Sequence, residues 1–143
     1  MVEPEDGTAL ATLAAAVVAA RLAERPVPED VPQRPALTLL GATFVTLEAG
    51  GRLRGCIGTI EPARPLYLDV IRNAQRAMRD PRMPPVEAPE WPVLDVKVAV
   101  LSPGGPVPAG TRAELLAAVR PGVDGVLITD GQRRATFLPA VWA

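Results

Sequence analysis

A short segment near the middle of the chain carries the residues best suited to chemistry. Residues 53–59 read Leu-Arg-Gly-Cys-Ile-Gly-Thr and include Cys56, the single cysteine of the chain. Side chains alternate along a strand, so we expect the even-numbered positions of this segment to share one face. These positions are Arg52, Arg54, Cys56 and Gly58.

The identity of Cys56 supports two interpretations. A neighbouring guanidinium such as that of Arg54 lowers the pKa of a thiol and makes it a better nucleophile, which is the functional interpretation. In the structural interpretation Cys56 is a small buried apolar residue, and Gly55 and Gly58 only shape the strand.

The composition excludes many familiar kinds of active site. The 143 residues contain no histidine, which removes Ser-His and Cys-His nucleophile pairs, the usual zinc ligand sets and the commonest general base. One cysteine allows neither an internal disulfide nor a cysteine-clustered metal site, as expected of a reduced, cytosolic protein. Gly55 and Gly58 lack the spacing and the following lysine of a phosphate-binding loop. We therefore predict no cofactor and no bound metal.

The charge argues against binding to nucleic acid or to a membrane. Fifteen basic and sixteen acidic residues give a net charge of −1. The longest apolar stretch, residues 9–20, is too short to cross a bilayer, and the acidic start does not resemble a secretory signal. We expect a cytoplasmic protein.

One segment is nevertheless basic. Seven arginines and three acids give residues 52–82 a local charge of +4. Guanidinium groups match carboxylate and phosphate oxygens, so this segment could form an anion site. The alternative is a solvated helix face, on which Asp69 and Arg72 form an ordinary i,i+3 pair.

The first half of the chain predicts two helices and a hairpin. Residues 8–24 have helical spacing and end before two prolines. Residues 38–48 and 52–60 flank Gly50-Gly51, which is a hairpin signal. A second helix begins near Pro65 and ends before Pro81. Its predicted core face consists of Leu66, Tyr67, Val70, Ile71, Ala74, Ala77 and Met78, and its opposite face of Asp69, Arg72, Arg76 and Arg79.

The second half predicts shorter elements. Residues 94–100 alternate between apolar and other side chains, as in a strand with one buried face. Thr111 and Glu114 have capping-box spacing and begin a short helix. Residues 126–129 and 135–138 suggest a final hairpin. This order predicts an α+β fold with a mainly antiparallel sheet and helices packed on one face.

Several segments resemble one protein family. Residues 53–59 resemble the Leu-Arg-Gly-Cys-Ile-Gly-Thr signature of the AMMECR family, whose bacterial members are often labelled AmmeMemoRadiSam system protein A. Residues 80–86 resemble the family's Asp-Pro-Arg-Phe-x-Pro-Val, and residues 98–103 its Val-Ser-Val-Leu-Ser-Pro. The resemblance continues through residues 122–127 and 137–141.

The resemblance implies a fold and partners but no reaction. It implies one AMMECR-like α+β domain over residues 1–143, inside the cell, associated with a Memo-like protein and a radical-SAM enzyme. The family has no settled activity. The catalytic candidates are Cys56 and Arg54. The candidate binding residues lie in the best-matching motifs and are Gly55, Gly58, Thr59, Asp80 and Arg82.

Two functions of different classes remain open. The first hypothesis is a non-catalytic partner domain that presents the signature hairpin and the proline-rich loops to another protein. The second is a small-molecule enzyme with a site around Cys56 and Arg54. Asp80 and Asp124 could act as bases, but each has a simpler role, at a helix end and in a turn respectively.

The chain departs from the family pattern at several positions. Lys97 and Ala99 stand where the family commonly has Glu and Ser, and Ala140 stands in place of a Gln. Relatives continue into a further C-terminal segment that this sequence lacks. We therefore expect an uncovered sheet edge. The protein should then self-associate through residues 137–142, as a homodimer or a larger species.

Overall fold

The chain folds as two compact units, Met1–Pro103 and Gly104–Ala143. The structure, a computed structural model, describes residues 2–102, 104–120 and 124–137. It contains both helices and antiparallel sheets, which confirms the predicted α+β class. In the part of the chain described, no helix is long and apolar enough to span a lipid bilayer.

Helix α1 spans Pro4–Leu22 and begins earlier than predicted. Proline is well suited to the first turn of a helix, where no amide hydrogen bond is lost. The carboxylate of Asp6 accepts a hydrogen bond from the Glu3 amide at 2.8 Å and pairs with Arg34 at 2.6 Å. The acidic start of the chain therefore caps this helix and fixes it to the following loop.

Strands β1 (Leu40–Ala49) and β2 (Arg52–Gly58) form the predicted hairpin. The turn residues Gly50 and Gly51 have φ values of +57° and +81°, which only glycine adopts without strain. Strand β1 is the centre of the sheet, because β4 (Leu94–Leu101) pairs with its other edge, also antiparallel.

Strand β3 (Arg64–Pro65) pairs with the start of β1 and leads directly into helix α2 (Leu66–Ala77). All seven predicted core residues of α2 are buried, which confirms the helical period read from the sequence. Helices α1 and α2 pack on the same face of the sheet. Helix α1 contacts β4, and helix α2 contacts β1 and β2. The buried side chains of these helices and of β1 form the core of this unit.

The pairing of β1 with β2 contains one irregularity. Leu47 lies opposite Gly55, whereas the next residue of β1, Glu48, lies opposite Leu53, so Arg54 is an extra residue in β2. Because of this bulge, the side chains of β2 that precede Arg54 point to the opposite faces from those that simple alternation predicts. The expectation that Arg52 shares a face with Cys56 is therefore wrong, because Leu53 takes that place.

The unit Gly104–Ala143 contains the predicted short elements. Helix α3 spans Arg112–Ala118, and the Thr111 hydroxyl accepts a hydrogen bond from the Glu114 amide at 3.1 Å. Strands β5 (Val126–Asp130) and β6 (Arg133–Phe137) form the final hairpin. The predicted helix break at residues 121–122 and the position Ala140 lie outside the described residues. So does almost all of the segment 137–142 that is expected to self-associate.

Candidate functional site

The outward edge of β2 is capped by two side chains from the loop that follows α2. The Cys56 amide donates to Oδ2 of Asp80 at 3.0 Å, and the Arg82 guanidinium donates to the Cys56 carbonyl at 3.1 Å. Arg82 also holds Asp80 directly, with Nη2 at 2.6 Å from Oδ2 and Nε at 3.0 Å from Oδ1. These two side chains therefore occupy the main-chain positions where another strand would pair.

The electrostatics of this pair follow from its geometry. The Asp80 side chain is fully buried, whereas that of Arg82 is 62% exposed. The Arg82 guanidinium holds the pKa of Asp80 well below its usual range, and the Cys56 amide acts in the same direction. The carboxylate in turn raises the pKa of Arg82. Asp80 is therefore an ionised structural acceptor at neutral pH and a poor general base.

Arg54, the arginine of the signature segment 53–59, is also fully engaged. Its guanidinium forms a two-point pair with Glu90, at 2.5 Å and 3.1 Å, and donates to the carbonyls of Pro84 and Pro85. The carboxylate raises the pKa of Arg54, and Arg54 lowers the pKa of Glu90. Its side chain is 11% exposed. Arg54 therefore ties the bulge of β2 to the proline-rich loop and has no free donor face for an anion.

The glycines of the signature permit close packing. A Cβ atom at Gly55 would lie 1.9 Å from the Ala77 carbonyl oxygen, so only glycine lets β2 approach the end of α2. A Cβ atom at Gly58 would lie 2.2 Å from the ring of Phe44. Both candidate binding residues thus have a structural role on opposite faces of β2.

Cys56 lies on the sheet face that the helices leave uncovered. It is half-buried, and its Sγ atom is 3.3 Å from Oγ1 of Thr46, its partner on β1. Lys97 on β4 lies opposite the same Thr46, so Cys56, Thr46 and Lys97 form one row across three strands. The Lys97 ammonium pairs with Glu48 at 2.9 Å. Ala99 occupies the next row with Phe44 and Gly58, so both departures from the family pattern on β4 align with signature positions.

Thr59 belongs to a separate buried cluster around Asp69. The Asp69 side chain is fully buried and accepts from the amide and hydroxyl of Thr43, from the hydroxyl of Thr59, from Arg64 and from Asn73. The predicted exposed pair of Asp69 with Arg72 is therefore wrong. The reason is that β1 and the residues after β2 bring unpartnered donors to this position of α2, and a carboxylate satisfies them all.

The remaining acidic candidate lies in the other unit. Asp124 accepts hydrogen bonds from the Arg120 amide at 2.8 Å and from its guanidinium at 2.9 Å. Arg120 lowers the pKa of Asp124. Residues 2–102, 104–120 and 124–137 contain no group of three or more His, Cys, Asp or Glu side chains placed to hold a metal ion.

Most of the candidate residues predicted from the sequence lie close together in the structure. Residues 80–86 lie next to Cys56 through Asp80 and Arg82, and next to Arg54 through the carbonyls of Pro84 and Pro85. Glu90 was not anticipated, because its link to Arg54 joins distant segments and has no local signal. Asp69 could have been suspected, since Asn73 one turn later also borders the apolar arc of α2.

A match to a protein-family model assigns the chain to a family. Residues 11–143, which include every candidate residue above, match the protein-family model AMMECR1. The chain belongs to the AMMECR1 family. The family match extends over most of Met1–Pro103 and all of Gly104–Ala143, so both units of the structure are parts of the AMMECR1 region.

Similar proteins come from archaea and bacteria. A protein from Methanothermobacter thermautotrophicus is 41% identical over 115 residues, covering 80% of this chain and 59% of that protein. A protein from Thermotoga maritima is 40% identical over 116 residues, covering 79% of this chain and 63% of that protein. The chain thus spans about three fifths of the length of these two relatives.

A solved AMMECR1-like structure has the same fold. The uncharacterized protein PH0010 from Pyrococcus horikoshii matches with a TM-score of 0.85 and 31% identity, covering 98% of this chain and 72% of that one. The expectation of an AMMECR-like α+β architecture is therefore confirmed. The relatives carry no assigned reaction, so the function has to be inferred from the chemistry of this chain.

Proposed function

We propose that this AMMECR1 chain is a non-catalytic partner domain that acts together with a Memo-like protein and a radical-SAM enzyme. The observation that carries the proposal is that the charged side chains of Arg54 and Asp80 are already paired within the chain. Arg54 is held by Glu90 and two carbonyls, and Asp80 by Arg82 and the Cys56 amide. Charged side chains that are paired in this way form a rigid surface and are poorly suited to transferring protons.

A binding measurement tests this role. The purified chain is titrated into the Memo-like protein and the radical-SAM enzyme of its own organism, each in a separate calorimetry experiment. We expect saturable binding to at least one of them, with the same affinity for the Cys56→Ser variant. Absence of binding to both proteins, or binding that requires the thiol, would overturn the proposal.

The second candidate is a thiol enzyme built around Cys56. One observation favours it: the half-buried Sγ atom lies near the Thr46 hydroxyl, and the Arg82 guanidinium binds the carbonyl of the same cysteine. The participation of Arg54 is not favoured, because its guanidinium is already paired.

The alkylation rate of Cys56 separates the two candidates. Iodoacetamide is added at neutral pH to the folded chain and to the same chain unfolded in urea. A folded-state rate about tenfold or more above the unfolded rate would support the enzyme. Protection of the thiol in the folded state supports the partner domain.

A further inference from the structure

A shallow depression lies where the last turns of α1 and α2 come together. Its volume is about 320 Å³. Its polar lining includes the guanidinium-bearing residues Arg21, Arg76 and Arg79, and its apolar lining includes Leu22, Met78 and Val86. Met78 and Val86 are nearly buried, and the Val86 amide donates to the Met78 carbonyl at 2.9 Å, which fixes the floor.

The three arginines of the depression have no carboxylate partner among the described residues. In the part of the chain that the structure describes, Arg21, Arg76 and Arg79 form no ion pair, whereas Arg34, Arg54, Arg64 and Arg82 each hold a carboxylate. Three other arginines of this unit that form no ion pair within residues 2–102 are Arg25, Arg52 and Arg72, so it is the clustering of the three around one depression that sets them apart. No acidic residue lines the depression. Unpaired guanidinium groups beside an apolar floor form a recognition surface for carboxylates.

The helix dipole explains only part of this arrangement. Arg21 and Arg76 stand in the last turns of their helices, where a cation is favoured by the negative end of the dipole. Arg79 lies beyond the end of α2, and the dipole does not account for the apolar residues between the cations.

A second depression adjoins the first through Leu22, which lines both. Its volume is about 290 Å³, and it is otherwise lined by small apolar residues, by Arg25 and by Trp91. Trp91 is 39% exposed, and Leu22 is half-buried. A partly exposed indole beside a leucine offers a place for an apolar side chain, and tryptophan is enriched at protein interfaces.

We propose that these two depressions, together called the arginine groove, bind an acidic amphipathic segment of a partner protein. Carboxylates of the segment contact Arg21, Arg76 and Arg79, and an apolar side chain next to them packs between Leu22 and Trp91. This inference rests on the proposed role as a partner domain and adds the surface used and the chemistry of the partner.

The charge distribution favours a peptide over a nucleic acid. The whole chain has a net charge of −1, so phosphates beyond the groove would meet no general positive field. The groove is lined by both charged and apolar side chains, which matches a peptide that carries both kinds of side chain. A phosphate backbone would leave the partly exposed side chains of Leu22 and Trp91 without an apolar partner.

A titration with defined peptides tests the proposal. The probe is a short fluorescein-labelled peptide of alternating glutamate and leucine, and its uncharged counterpart has glutamine in place of glutamate. The chain is used as wild type, as Arg76→Glu and as the matched control Arg72→Glu. Arg72 is an exposed arginine on the same helix and does not line the groove.

The expected result is binding of the acidic peptide and not of the glutamine peptide. Arg76→Glu should weaken binding about tenfold or more, whereas Arg72→Glu should change it less than about twofold. Equal losses for both variants, no binding, or equal competition by inorganic phosphate or a single-stranded oligonucleotide would each overturn the proposal.

The same variants distinguish this proposal from the proposed function. If the Memo-like or radical-SAM protein binds the wild type and Arg76→Glu equally well, the partner role stands and the arginine groove is wrong. If the acidic peptide binds as expected and neither protein binds, the groove stands and the proposed partners are wrong.

Discussion

The main-chain amide of Cys56 donates a hydrogen bond to Oδ2 of Asp80 across 3.0 Å, joining the centre of β2 to the loop after α2. The carbonyl of the same residue accepts from Arg82. Asp80 and Arg82 thus contact position 56 through the main chain, while its thiol faces Thr46 on the uncovered face of the sheet. The two most specific sequence motifs of the chain are therefore one structural unit.

The Asp80 interaction should make stability depend on acid. Its pKa is lower in the folded chain than in the unfolded chain, so its stabilisation is complete above the ordinary aspartate pKa near 4 and is lost as the pH falls toward the folded-state value. We expect Asp80→Asn to lower the free energy of unfolding by about 2 kcal/mol at pH 7. Urea unfolding at several pH values measures this.

The pH dependence supplies the control for that variant. The difference in unfolding free energy between wild type and Asp80→Asn should shrink below about pH 4, because Asp80 then binds a proton in the unfolded chain while the folded chain still holds it ionised. Arg82→Gln removes the main cause of the pKa shift and should give a smaller pH dependence than wild type. A difference that is the same at pH 7 and pH 3 would contradict this account.

Gly55 should be intolerant of any side chain. The added methyl group of Gly55→Ala would lie 1.9 Å from the Ala77 carbonyl oxygen, so β2 and α2 would have to separate. We expect a loss of about 3 kcal/mol in the free energy of unfolding, from urea denaturation. Gly7→Ala is the control: Gly7 lies in α1 with no atom within 4 Å of the added methyl, so that change should be neutral or stabilising.

The Asp69 cluster should contribute strongly to stability. Asp69→Asn replaces an acceptor-only carboxylate with a group that carries two donors, next to the buried hydroxyl of Thr43 and the guanidinium of Arg64. We expect a loss of about 3 kcal/mol. The exposed Asp95→Asn on β4 should change the thermal unfolding midpoint little. Similar effects of both substitutions would show that the cluster is not important for stability.

Cys56→Ser should preserve the fold. The substitution is nearly isosteric, and the new hydroxyl lies close to the Thr46 hydroxyl, so the cost should not exceed about 2 kcal/mol. Circular dichroism during urea unfolding should show one cooperative transition. A non-cooperative transition would mean that the thiol is more central to the core than its half-buried position indicates.

The elements that the sequence predicts well are those with local signals. The apolar arc of α2, the two glycines of the first turn and the Thr111 cap of α3 each depend on residues a few positions apart, and all are observed. The reciprocal bond of a capping box is displaced by one residue, because the Glu114 carboxylate accepts from the Gly110 amide. Patterns of this kind specify an element before its neighbours are known.

The features that the sequence did not predict depend on distant contacts. The bulge at Arg54 arises where Gly55 meets the backbone of Ala77, and simple alternation cannot reveal it. Asp69 looks like a surface residue on a helical wheel because the donors that bury it come from other segments. The pairing of Arg54 with Glu90 likewise appears only after folding.

The side-chain cap on β2 also bears on aggregation. An exposed strand edge offers free amides and carbonyls that recruit further strands, from the same protein or another, and this is how many amyloid-like assemblies begin. At the centre of β2 both groups of Cys56 are already occupied by Asp80 and Arg82. A carboxylate and a guanidinium thus block this position with charge, so a further strand cannot pair with β2 there without displacing them.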